Sequence, residues 1–122
     1  MVSSFHMRKI DHFFSEASQA FRKSPEDGPR IVKELFQSHC GNFGQFVWNY
    51  WEETVFPREK EEDALMWLQD IIFLYNGELE EKNSILDGDW DFLKIAAEKY
   101  ADSLPLPTLT CLMAEILNRG KL

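Results

Sequence analysis

Asp87-Gly88-Asp89-Trp90-Asp91 has the carboxylate spacing that opens a calcium loop, and Glu98 stands at the twelfth position, where a bidentate ligand would close it. The sixth position is Phe92, where the loop needs glycine for its sharp turn. Leu93-Lys94-Ile95-Ala96-Ala97 favours a helix, so Asp91 and Glu98 would lie along a rod instead of around a cage. The stretch therefore reads as a helix start, with Asp89 as its N-cap and Asp91 in a first turn that favours acids. The three histidines, His6, His12 and His39, form no Glu-x-x-His pair, so the di-iron bundle signature is missing. His12 and Glu16 read as a surface pair, and His39 and Cys40, adjacent on a helix, do not face each other. Catalytic-serine and phosphate-loop motifs are missing too: no GxSxG, GxxxxGK or GxGxxG occurs. No cofactor or metal site follows from these patterns.

A second acidic pattern is Glu59-x-x-Glu62 with Glu78-x-x-Glu81. It resembles the paired motifs by which all-α nucleotide pyrophosphatases hold magnesium, and that resemblance implies a metal-dependent hydrolase. The family pattern is ExxE followed by ExxD on facing helices, and here the second motif ends in Glu81. The residues between Glu62 and Glu78 read as one unbroken helix, which would separate those two carboxylates by roughly 24 Å. A metal-dependent hydrolase, or a bundle binding a small ligand with these middle acids, is thus the alternative function.

Charge and aromatics favour another reading. The net charge is −8. Residues 41–91 carry three basic and thirteen acidic side chains, a net of −10, while the flanks, 1–40 and 92–122, are each net +1. All four tryptophans, Trp48, Trp51, Trp67 and Trp90, fall in the acidic middle. An acidic field repels phosphates, so no nucleic acid and no anionic membrane is expected as partner. A protein partner, basic or a second copy, fits better. In the run Phe43–Trp51 one helical stripe takes Phe46, Val47, Tyr50 and Trp51, leaving Trp48 and Phe56 off it. Large aromatics off the stripe mark partner-binding surfaces, so Trp48 and Phe56, with Glu52 and Glu53 beside them, are the candidate contact residues. The competing reading is a helix sandwiched on two sides within the bundle.

The scaffold for these residues is all-α. Ala64–Tyr75, ALMWLQDIIFLY, is apolar nearly all round, too long for a strand and too short for a bilayer. It predicts a central helix over 58–76, acid-led at its start and capped by Gly77, with Leu68, Ile71, Ile72 and Leu74 most buried. Helical spacing also covers Phe5–Lys23, a helix from Pro29 to about Gly41, Gln45–Phe56, Asp89 to about Ser103, and about Thr108–Asn118. Glu78–Asn83 reads as a short exposed helix. No stretch alternates with period two, and no linker divides the chain. The expectation is a single domain, residues 1–122, of five to six helices. No apolar signal region is visible at the start, and Cys40 and Cys111 lack disulfide-motif spacing. Both features predict a cytoplasmic protein with reduced thiols.

Overall fold

The computed structural model describes residues 12–122. Five helices form one bundle, and there is no strand among the described residues, 77% of which are helical. They are α1 (His12–Lys23), α2 (Gly28–Tyr50), α3 (Glu61–Tyr75), α4 (Asp87–Tyr100) and α5 (Leu106–Asn118). A π-helical segment, Trp51–Val55, and one α turn, Phe56–Arg58, extend α2 toward α3. The part of the predicted Phe5–Lys23 helix that precedes His12 lies outside the described residues.

α3 is the axis. It packs against α1, α2, the π segment and α5, while α4 packs against α2 and α5. Nine of its fifteen residues are buried, with Leu68, Ile71, Ile72 and Leu74 fully enclosed, as its all-round apolar pattern predicts. The buried set includes the two polar residues that interrupt the apolar run, Gln69 and Asp70. Gln69 Oε1 accepts the Phe14 N–H at 3.1 Å, which ties α3 to α1. Asp70 Oδ2 accepts the N–H and hydroxyl of Ser84 at 2.9 and 2.5 Å, which pins the α3–α4 loop against the helix. At the far end the Thr108 hydroxyl donates to the Tyr75 carbonyl, tying the last turn of α3 to the first turn of α5.

Three boundaries differ from the sequence reading. The turn predicted at Gly41–Gly44 narrows to Gly41 alone, whose φ of 56° and ψ of −141° are non-helical and kink α2 into two helical stretches. The central helix starts at Glu61 instead of Arg58, because Glu59 and Lys60 are extended. Pro57 has no N–H to donate and its ring crowds the carbonyl four residues back, so the chain before it widens into the π turn. Glu78–Asn83 forms no helix, and Asn83 instead bonds its amide to the Glu80 carbonyl. Gly77 does close α3: at φ 80° its N–H reaches the Leu74 carbonyl, and the Glu78 N–H reaches that of Phe73.

Candidate functional site

The most concentrated polar chemistry surrounds Asp89. The helix α4 begins at Asp87, so Asp89 occupies the third helical position and not the N-cap expected of it. Its Oδ2 accepts the Leu86 N–H at 2.9 Å, which satisfies the first turn from within. The same oxygen accepts Trp67 Nε1 at 2.9 Å and Arg58 Nη2 at 3.0 Å. Oδ1 accepts Arg58 Nη1 at 3.0 Å and the Tyr50 hydroxyl at 2.6 Å. Four chain segments therefore converge on one fully buried carboxylate.

Burial pushes the Asp89 carboxyl up, but the Arg58 fork, the Tyr50 hydroxyl, the Leu86 N–H and the Trp67 indole outweigh it and hold its pKa below the ordinary carboxylate value. Tyr50 is raised, first by burial and then by its bond to the Asp89 anion. Arg58 is held charged by Asp89 and by Glu59, 2.7 Å from its Nε. Every lone-pair direction of Asp89 is committed to a donor. The arrangement can clamp the start of α4 onto α3 and the end of α2, but it leaves no oxygen for a metal or a proton to be moved. The calcium pattern is thus a helix start, and among the described residues no three His, Cys, Asp or Glu side chains gather as a metal site would require. Glu62 and Glu78 flank α3 at opposite ends, as its length demands.

The four predicted contact residues do not share one environment. Trp48 is 1% exposed and packs on Trp51, with ring centroids 4.6 Å apart, and on Phe36. The expectation of an exposed Trp48 anchor is corrected: the helix is covered on two sides. Val47, Trp48, Trp51 and Val55 face the core, while Phe46 and Tyr50 stack on Phe92 of α4. Phe56 is half-buried against Phe21 and Trp51. Only Glu52 and Glu53 lie open to solvent.

An apolar surface emerges elsewhere. α5 has one charged residue, Glu115, yet buries only Thr108, Leu112 and Ile116. On its outer side Leu106 is 75% exposed, Leu117 63% and Met113 39%. Thr110, also exposed, completes a stripe at positions 106, 110, 113 and 117, within about 60° of arc at helical pitch. A shallow groove lined by Asn76, Gly77, Leu106, Pro107, Thr110 and Ala114 runs along one flank. On the buried side Arg119 lies 4.5 Å over the Trp90 ring and pairs with Glu115, while Lys121 pairs with Asp91. The helix is held down by its inner face and its end, and its outer stripe is bare. Helical spacing in the sequence predicts one buried face of Leu109, Leu112, Met113, Ile116 and Leu117, but only Leu112 and Ile116 of these are fully enclosed: the arc they span is wider than α3 and α4 cover.

No helix among the described residues is long and apolar enough to cross a membrane. No protein-family model, curated protein or solved structure matches the chain.

Proposed function

We propose that this protein is a non-catalytic helical interaction domain that works by contact with another protein chain. One observation carries the reading: the stripe of Leu106, Met113 and Leu117 stays exposed on a helix whose other face is well packed. Apolar side chains scattered singly on a surface need no explanation, but a line of them along one helix is what helix-in-groove and helix–helix recognition use. The Asp89 clamp supports the same reading, because it spends its polar groups on rigidity and so presents α4 and α5 as a firm platform.

The test compares the native chain with Leu117→Glu. The variant should keep the helical signal and thermal midpoint of the native domain while losing association with whatever chain the native protein binds. Loss of the fold in Leu117→Glu, or unchanged association in a folded variant, would overturn the reading.

A further inference from the structure

We infer that the partner of the α5 stripe is a second copy of this chain, docked through an antiparallel, two-fold α5–α5 seam. The inference rests on the contact reading above and adds the identity and geometry of the partner. Two features point to it.

The first is the spacing. Leu106, Thr110, Met113 and Leu117 follow steps of four, three and four. That pattern reads the same in both directions. An antiparallel copy therefore sets Leu106 against Leu117 of its mate and Thr110 against Met113, with every pair repeated by the two-fold axis. This is the self-complementarity an isologous interface requires. The large ends pack on each other, while the short Thr110 beside Ala114 lets the helices approach near the middle. The groove lined by Leu106, Pro107 and Thr110 opens at the end of the seam where the partner's Leu117 would arrive.

The second is charge. Two molecules of net −8 repel, so they can meet only where the field is weakest. Residues 92–122 are net +1 against −10 for residues 41–91. The one acid within α5 is already paired with Arg119, so the seam buries no uncompensated charge. A basic partner would instead be drawn to the acidic side chains of residues 41–91. The seam is short, about 16 Å from Leu106 to Leu117 at helical rise. Such a small interface belongs with weak associations, half-formed at about 10–100 µM chain.

Sedimentation velocity on the full chain tests it, from about 1 to about 300 µM. The native protein should shift from monomer to dimer. Leu117→Glu, and independently Leu106→Glu at the other end of the stripe, should weaken the dimer at least tenfold while retaining the native helical signal. Association should hold or strengthen from about 0.05 to about 0.5 M salt, because screening relieves repulsion between acidic copies. Orientation follows from cross-linking in a Cys111→Ser background. A mixture of Thr110→Cys and Met113→Cys chains should form the mixed disulfide faster than either forms its own, whereas parallel pairing would reverse that order. A native chain that remains monomeric throughout overturns the second-copy inference. In that case, capture from native lysate by the native chain but not by folded Leu117→Glu would leave the contact reading standing. Equal capture by both would remove it as well.

Discussion

α3 and α5 are the two most apolar helices of this protein, yet α3 buries nine of fifteen residues and α5 three of thirteen. Composition does not account for the difference. α3 has α1, α2, the π segment and α5 around it, so even Gln69 and Asp70 are enclosed and need partners. Among the described residues α5 packs chiefly against α3 and α4. An apolar helix demands cover, but topology decides how much cover the chain itself can supply. What α3 receives from its own domain, α5 leaves open.

The largest expected effect strikes the clamp that holds α4 to α3. Asp89→Ala removes the carboxylate and strands the Arg58 guanidinium, the Trp67 indole and the Tyr50 hydroxyl facing one another. Breaking a buried charge pair from one side costs about 3–5 kcal/mol, which chemical denaturation should report. The loss should be present at neutral pH and shrink in acid. The native carboxyl has a lowered pKa, so its contribution is complete above the unfolded value and is lost as pH falls through the folded one.

Next come the enclosed apolar residues. Leu68→Ala and Ile72→Ala should each cost about 2–5 kcal/mol, and Trp48→Ala about 3–5 kcal/mol, by urea unfolding. The α3 pair was legible in the sequence, because a helix apolar on every side has only one place to go. Trp48 was not. The stretch that holds Phe46, Val47, Trp48 and Tyr50 is α-helical, as the spacing predicts, but α4 brings Phe92 against the side opposite the core. A one-dimensional stripe cannot show that a helix has two buried sides. The clamp was hidden for a related reason. Tyr50, Arg58 and Trp67 lie 39, 31 and 22 residues before Asp89, and no local pattern links them. Of the bare stripe, Met113 and Leu117 fall on the apolar arc that periodicity assigns to the core, since periodicity reveals such an arc but not how much of it a neighbour covers.

A smaller effect separates the two buried carboxylates by sign. Burial raises the Asp70 pKa, and the Ser84 bonds only partly offset it. A raised group contributes stability below its unfolded pKa, near 3.9, and loses it as pH rises through the folded value. Asp70→Asn should therefore flatten the fall in stability on the alkaline side of about pH 4, whereas Asp89→Ala flattens the fall on the acid side. Parallel denaturation curves for Asp70→Asn and the native chain across that range would show that Asp70 is not desolvated as its enclosure implies.

The smallest effect lies on α5 and sharpens the comparison most. Leu112 and Leu117 are five residues apart on one helix, one fully enclosed and the other largely in water. In dilute protein, Leu112→Ala should cost about 2–5 kcal/mol and Leu117→Ala less than about 0.5 kcal/mol. Dilution matters because anything that binds only the folded chain adds to its apparent stability by mass action. Raising the protein concentration a hundredfold should lift the thermal midpoint of the native chain and leave that of Leu117→Ala nearly where it was. A midpoint that ignores concentration in both would mean that no second copy covers the stripe. A large loss for Leu117→Ala in dilute solution would mean that α5 is enclosed after all, and the contrast with α3 would disappear.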